Sequence, residues 1–230
     1  MLAGIDGCPN AWIAVTQDKD GKIDSHHITN LEAFLDQHKP ELVAIDIPIG
    51  LVETGDRRCD VEARKLLGIR KSSVFPAPIL PAIAARDRQA AHDISMAIHG
   101  KGVGAQPYAI YAKVKEVDDL LHTRPDLRDS IYEIHPELSF YAWNHDRPMT
   151  HPKRTGPGFM ERIALVETVF GPEAYSSVRA KYPRKKVADD DILDAFAALW
   201  TAQRIAAGSA LTCPTPPESS PTGLRMAMWR

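Results

Sequence analysis

The chain has 230 residues, of which 44% are hydrophobic and 25% are charged, and its formal net charge is −2. Length and composition are those of a globular protein with one large α/β domain and a sizeable buried core. The near-neutral charge excludes a general electrostatic attraction to nucleic acid, so binding to DNA or RNA would have to rely on a local basic patch.

The cysteines and the N-terminal segment bear on the compartment. Cys8, Cys59 and Cys213 lie far apart and form no C-x-x-C pair, which argues against a disulfide framework and against a zinc site. Free thiols fit a reducing compartment. The N-terminal segment has an acid at Asp6, where a signal peptide would need apolar residues. No run approaches the roughly 18 apolar residues of a membrane span. We therefore expect a cytoplasmic protein.

The first 48 residues predict three strands, a helix and a fourth strand. A turn signal at 18–21 separates the second and third strands, Asn30 caps the helix, and Pro40 ends it. The strands are predicted over 2–5, 12–16, 22–29 and 42–45, and the helix over 31–38. Three strands, a crossover helix and a fourth strand form the order of the RNase H-like fold, whereas a simple Rossmann fold places a helix after each strand.

The rest of the chain predicts a helical insertion and a return to the core. Residues 50–128 far exceed a typical loop and are taken as an insertion within a single RNase H-like domain over 1–230. Helices are predicted there over 57–67, 88–98 and 108–121. A fifth strand over 130–134, helices over 158–170 and 189–207, a proline-rich loop over 212–221 and an edge strand over 224–229 follow. The apolar tail at 226–229, expected to be exposed, suggests a homodimer.

Two acids follow apolar strands. Asp6 ends the first strand and Asp46 ends the fourth, so both lie at the carboxyl edge of the sheet, where open α/β sheets bind ligands. In neighbouring strands their carboxylates would lie roughly 5 Å apart, and such a pair needs a cation or a proton between them. Oxygen ligands suit Mg²⁺ or Mn²⁺. A simple turn also explains Asp6, but Asp46 is embedded between isoleucines and needs a partner.

The last helix and the fifth strand carry further candidate ligands. Asp191 and Asp194 lie three residues apart and share a helix face. Asp189 is a natural N-cap, and the helix dipole favours acids in a first turn, which explains Asp191 in part and Asp194 poorly. Glu133 lies on the strand face opposite its neighbours, and a site residue or an exposed residue fits that position equally well.

Basic and hydroxyl side chains of the insertion are candidates for a phosphate-binding wall. The alternative is a solvated helix face with a serine cap and ordinary turn residues. We expect Phe75 to pack the insertion rather than to stack on bases, and Glu137 to cap a helix or lie at the surface. The candidate substrate-binding residues are Arg57, Arg58, Arg64, Arg70, Lys71, Ser72, Ser73 and Gln106.

Six segments together resemble a domain-of-unknown-function family described as predicted nucleases of the RNase H fold. They are GIDGC-x-x-x-W at 4–12, IDIPIGL at 45–51, RCD-x-x-AR at 58–64, RKSSVFP at 70–76, E-x-HPELSF at 133–140 and DD-x-x-DA at 190–195. The terminal-helix acids also resemble those of RuvC-type resolvases. One departure is Asn10-Ala11, where the family often has a glycine pair. The resemblance implies that the ligands for Mg²⁺ or Mn²⁺ are Asp6, Asp46, Glu133, Asp191 and Asp194.

Carboxylates in such a set support one well-understood reaction. Two metal ions about 4 Å apart clamp a phosphodiester, activate a water and stabilise the leaving oxygen. The sequence therefore predicts a metal-dependent nuclease acting on DNA or RNA. The alternative is an RNase H-like binding or scaffolding protein without turnover, which the near-neutral charge favours. A nucleotide-phosphate enzyme of the related actin-like fold would need glycine-rich phosphate loops, and only Gly4 and Gly7 resemble one.

Overall fold

A five-stranded mixed sheet forms the centre of the protein in a computed structural model that describes residues 1–230. The order across the sheet is β3-β2-β1-β4-β5; β1 pairs in parallel with β4 and β4 with β5, and the other two pairings are antiparallel. This α/β architecture, with helices around the sheet, is compatible with the RNase H-like fold. The strands are β1 (Leu2–Cys8), β2 (Ala11–Gln17), β3 (Ile23–Ile28), β4 (Leu42–Ile45) and β5 (Ile131–Glu133).

The turn between β1 and β2 accounts for the departure at Asn10. Its backbone has a φ of 56°, in the left-handed region. Asparagine tolerates that region better than most residues that carry a side chain. The hairpin therefore forms without the glycine pair, and Cys8 pairs with Ala11 across it.

Both faces of the sheet are covered, as the alternation along β2 requires. Ala14 packs into one core cluster with Phe34 and Val117, whereas Ile13 packs into a second cluster with Phe196. The helix α1 (Leu31–His38), which crosses from β3 to β4, contributes Phe34 to the first cluster. The predicted β-β-β-α-β opening and its sheet are confirmed.

Four helices lie between β4 and β5, which confirms the predicted helical insertion. The prediction of one helix over 108–121 is wrong in one respect. The segment forms two helices that are separated by Ile110. The first of them includes Pro107, which the prediction placed outside; proline is tolerated in a first turn, where its missing N–H has no intrahelical acceptor. The four are α2 (Arg58–Leu67), α3 (Arg88–His99), α4 (Ala105–Ala109) and α5 (Tyr111–Thr123).

After β5 the chain forms four more helices, of which two were not predicted. The first unpredicted helix begins at Pro136, a favoured first helical residue. Both pack apolar residues into one core cluster, Phe140 and Trp143 from the first and Tyr175 and Val178 from the second. They are α6 (Pro136–Trp143) and α8 (Ala174–Lys181); the predicted pair are α7 (Gly156–Phe170) and α9 (Asp189–Ala206).

The close approach of α9 to β1 fixes the position of the site. A Cβ added to Gly4 would lie 2.1 Å from the Leu199 backbone nitrogen and 2.3 Å from the Ala195 carbonyl oxygen. Only glycine on the strand and small residues on the helix permit this distance. The buried Ala195, Ala197 and Ala198 supply the small surface on the helix. The approach carries the first turn of α9 to the carboxyl edge of the sheet.

The C-terminal segment forms a hairpin, so the loop predicted over 212–221 is wrong. β6 (Thr212–Ser219) pairs antiparallel with β7 (Arg225–Trp229), and the register is irregular between Cys213 and Glu218, where the prolines lie. A strand with one partner tolerates proline at unpaired positions. Met226 and Met228 of β7 are buried. The tail is therefore not exposed, so the expected exposure that suggested a homodimer is wrong, and the homodimer itself stays a prediction.

None of the helices combines the length and the apolar character that crossing a bilayer requires.

Candidate metal centre and its cleft

Asp6 and Asp46 follow the last paired residues of two adjacent parallel strands. Ile5 pairs with Ile45, and the Asp46 N–H donates to the Ile5 carbonyl at 2.9 Å. Asp6 itself lies within β1, because the antiparallel pairing of β1 with β2 continues to Cys8. The prediction that the first strand ends at Asp6 is therefore wrong. Burial raises the pKa of Asp46, and nearby positive charge, including that of Lys153, opposes the shift. Two carboxylates at adjacent strand ends repel each other unless a proton or a cation lies between them.

The charges of three other acids act on Asp6, although no three of the four carboxylates bring their oxygens within 4.8 Å of one another. Burial raises the pKa of Asp6 well above its ordinary value, and the charges of Asp46, Asp194 and Asp191 raise it further. Lys153 opposes the shift. Asp6 is 7% exposed, so water screens these charges poorly. The arrangement concentrates carboxyl groups at the carboxyl edge of β1 and β4.

Asp194 is the most deeply buried acid of this cluster, with 2% of its surface exposed. Its Oδ2 accepts a hydrogen bond from Lys153 Nζ at 2.6 Å, and its Oδ1 is buried with no hydrogen-bond partner. Burial raises the pKa of Asp194 to about 6, although the Lys153 ammonium lowers it. A buried carboxylate oxygen without a partner is costly unless a proton or a cation satisfies it.

The other acids at the start of α9 have separate roles. Asp191 Oδ2 accepts from the Ala188 N–H at 2.8 Å, so Asp191 caps the helix as well as facing Asp6. The predicted N-cap role of Asp189 is wrong, because the cap is Ala188. Asp189 instead pairs with Arg179 at 3.0 Å and Arg184 at 2.8 Å. These cations hold it away from the cluster.

Glu133 lies apart from the four acids, in a second buried cluster around Arg57. The Arg57 guanidinium donates to Glu133 Oε1 at 2.6 Å and to Oε2 at 2.9 Å, and the Ile49 N–H donates to Oε2 at 2.8 Å. Arg57 also bonds Asp60 Oδ1 at 2.6 Å. Both Glu133 oxygens are therefore engaged, and the structure does not offer them to a metal shared with Asp6.

Cys59 completes that second cluster but does not make it a metal site. Ligand atoms of Cys59, Asp60 and Glu133 lie within 4.8 Å of one another. Arg57 bonds both carboxylates, so its guanidinium supplies the positive charge that a metal would bring. Burial raises the pKa of the Cys59 thiol, which keeps it from the thiolate form that binds metals. The cluster is a buried ion-pair network, and its charged residues Arg57, Asp60 and Glu133 line the cleft next to the acids.

A cleft of about 510 Å³ opens onto Asp46 and Asp194. Its wall includes Arg57, Arg70, Ser72, Ser73 and Gln106 of the predicted substrate-binding set.

Three residues of that set are not in the wall. Arg58 pairs with Glu62 at 2.8 Å and Glu218 at 3.2 Å on the outside. Arg64 donates twice to the Val74 carbonyl and holds the chain before Phe75. Lys71 is exposed outside the lining. These contacts of Arg58 and Arg64 direct their side chains away from the cleft.

Sequence reasoning missed two cations and one acid of this cleft. Lys153 and Arg154 come from the connection between α6 and α7, which has no regular pattern. Gly158 was the available signal: a Cβ there would lie 2.0 Å from the Pro152 carbonyl oxygen, so the glycine fixes the loop. Glu137 lines the cleft as well. Its Oε1 pairs with Arg162, and its Oε2 is buried without a partner. The predicted cap or surface role of Glu137 is therefore wrong.

The fold and the acid cluster define an α/β protein with a buried carboxylate site at the edge of a mixed sheet. The chain matches, over residues 4–219, the model of a family described as "Protein of unknown function (DUF429)", and it belongs to that family. No curated protein and no solved structure matches it.

Proposed function

We propose that the protein is a Mg²⁺- or Mn²⁺-dependent nuclease that hydrolyses phosphodiester bonds of DNA or RNA. Asp6, Asp46, Asp191 and Asp194 would hold the metal. The observation that carries the proposal is the buried Asp194 Oδ1, which has no hydrogen-bond partner although the charge of Asp46 acts on the same carboxyl. Like charges so placed are stable only with a proton or a cation between them.

The donor set fits a hard divalent cation. All four candidate ligands offer carboxylate oxygens, which suit Mg²⁺ and Mn²⁺ better than softer metals. Cys8 lies near the cluster, but burial and the charge of Asp191 raise the pKa of its thiol to about 11, so it is no thiolate ligand. When bound, the metal would supply the positive charge that polarises a phosphate oxygen and lowers the pKa of a bound water.

Other residues of the cleft would bind the substrate or hold the site together without contacting the metal. Arg70 and Ser72 lie in the wall where they can bind phosphate oxygens. Lys153 contacts Asp194 at 2.6 Å and Asp190 at 3.4 Å, and so holds α9 against the loop before α7. The burial of Asp6 and Asp194 limits competing water at the reacting phosphate.

The test is a cleavage assay with the full chain, with single-stranded and double-stranded DNA and RNA, and with Mn²⁺, Mg²⁺ or a chelator. Asp6→Asn and Asp194→Asn should each lower the rate by at least about 100-fold, because each removes a charge that the metal requires. Asp119→Asn is the matched control, since Asp119 is exposed and pairs only with Lys115 on α5. Metal-dependent cleavage that survives in both cluster variants would refute the proposal.

A second candidate is a binding protein of the same fold without turnover. The observation that favours it is Lys153, whose ammonium already supplies a positive charge next to Asp194. This candidate predicts nucleic-acid binding that is insensitive to chelators, with no cleavage of any of the four nucleic acids. The same assay therefore separates the two candidates.

A further inference from the structure

The entrance to the cleft is bounded on two sides by segments that are tied together. One side is the 3₁₀ turn Gly68–Ser73 with the residues after it, and the other is the loop before α7. Arg70 Nε donates to the Met149 carbonyl at 3.0 Å, and its Nη2 donates to the Thr150 carbonyl. Arg70 thus crosses from one wall to the other. The volume of about 510 Å³ lies within the range of roughly 300–1,000 Å³ that is typical of small-ligand pockets.

The cations of this cleft suit one phosphate group more than a long backbone. Arg70 donates to backbone carbonyls rather than to carboxylates, so its charge is not cancelled by an acid. Arg154 lies on the opposite wall and is exposed. Lys153 lies deeper, against Asp194. All three cations line the cleft that opens onto Asp46 and Asp194.

Phe75 gives the cleft an apolar wall that the acid chemistry does not need. It lines the cleft with 45% of its surface exposed, so the expectation that it packs the insertion is wrong. Pro48 and Ile110 also line the cleft. An exposed aromatic ring beside a phosphate site is a stacking surface for a base, and every base has a face that can use it.

We propose that the cleft takes one nucleotide unit, with its phosphate at the acid cluster and its base on Phe75, and that it excludes the interior of a duplex. This inference rests on the proposed function for the metal-dependent step and names its substrate class. A stacked, paired nucleotide cannot place its base on Phe75 while its phosphate lies at Asp46 and Asp194 unless it leaves the stack. The unit is a free nucleotide or the end of a strand.

The experiment is calorimetric titration of the full chain with three probes: thymidine 5′-monophosphate, a short 5′-phosphorylated single strand, and covalently closed circular duplex DNA, which has no ends. We expect the first two to bind and the circle not to compete. Tighter binding of the strand assigns a strand end, and equal or weaker binding assigns a free nucleotide. Failure of the monophosphate and the strand to bind, or displacement of the monophosphate by the circle, would overturn the inference.

Phe75→Ala should weaken the binding of the monophosphate about tenfold, the effect of losing one stacked base. The matched control is Ile69→Ala, because Ile69 is 78% exposed in the preceding turn and lies outside the cleft. Unchanged binding by Phe75→Ala would contradict the inference. A separate titration with Mn²⁺ alone tests the metal site. Mn²⁺ binding without nucleotide binding overturns only this inference, and nucleotide binding without Mn²⁺ binding overturns only the proposed metal chemistry.

Discussion

Lys153 Nζ lies 2.6 Å from Asp194 Oδ2, so a loop lysine supplies the positive charge nearest to the most buried acid of the cluster. Asp194 comes from α9 and Lys153 from the connection before α7, which makes this pair a tertiary contact rather than a local one. The charge of Asp194 raises the pKa of Lys153 above its ordinary value, so the ammonium stays protonated at neutral pH. A divalent cation at Asp6 and Asp194 would therefore share these oxygens with a fixed ammonium.

Replacement of this lysine should make the protein depend more on metal. We expect Lys153→Met to lower the free energy of unfolding by roughly 1–2 kcal/mol without metal, a value reduced for its 35% exposed side chain. Mn²⁺ should then raise the melting temperature of the variant more than that of the native chain, because the metal replaces the lost charge. Lys115→Met is the control, since Lys115 pairs with Asp119 at the surface. If Mn²⁺ raised the melting temperature of Lys153→Met and Lys115→Met equally, Lys153 would not compensate the charge of the metal site.

The stability of the metal-free protein should depend on pH through Asp194. Burial raises the pKa of this carboxyl from 3.8 to about 6 in the folded state, so the folded chain binds its proton more tightly than the unfolded chain. The contribution to stability is therefore present below about pH 4 and is lost as the pH rises through about 6. The loss is at most roughly 3 kcal/mol. Urea unfolding of the native chain and of Asp194→Asn across this range should show the difference, and parallel curves would contradict it.

Glu133 and Asp194 should respond differently to loss of charge. Glu133→Gln removes the negative charge that the buried Arg57 guanidinium contacts, and we expect it to lower the free energy of unfolding by roughly 3 kcal/mol. The Mn²⁺ affinity should stay unchanged. Asp194→Asn should instead lower Mn²⁺ affinity at least tenfold. Calorimetric titration with Mn²⁺ alongside chemical unfolding measures both. Lost Mn²⁺ affinity in Glu133→Gln would return this residue to the ligand set.

The approach of α9 to the sheet should be intolerant of a methyl group on β1. Gly4→Ala would place Cβ 2.1 Å from a backbone nitrogen of α9, so the helix must move, and we expect a loss of roughly 3 kcal/mol or more. Gly156→Ala is the matched control because nothing lies within 4 Å of its added Cβ. Melting temperatures compare the two. A Gly4→Ala protein as stable as the Gly156→Ala protein would show that this packing is wrong.

The sequence predicts the features of this protein that local patterns encode. The β-β-β-α-β opening follows from apolar strands and turn residues, and Asp6 and Asp46 meet because β1 and β4 are parallel neighbours in one register. The helix spacing likewise brings Asp191 and Asp194 towards Asp6. In each case, the side-chain repeat of a strand or a helix spans only a few residues, so neighbouring residues reveal it.

The other features depend on contacts between distant segments. Nothing near Glu133 in the sequence indicates that Arg57, 76 positions away, would occupy both of its oxygens. Lys153 lies in an irregular loop, and only the close contact at Gly158 marks that loop as fixed. The C-terminal prolines indicated a loop, whereas pairing with β7 makes that segment a strand. These misses share one cause, which is that tertiary pairing overrides local preference.

The most direct test of the carboxylate site is a crystal of the full chain soaked in Mn²⁺, with anomalous diffraction recorded at a wavelength where manganese scatters strongly. The account predicts a manganese peak bound by carboxylate oxygens of Asp6, Asp46 and Asp194, with the Asp194 oxygen that now lacks a partner among them. A crystal in which manganese binds elsewhere, and in which Lys153 remains the only cation at Asp194, would contradict it.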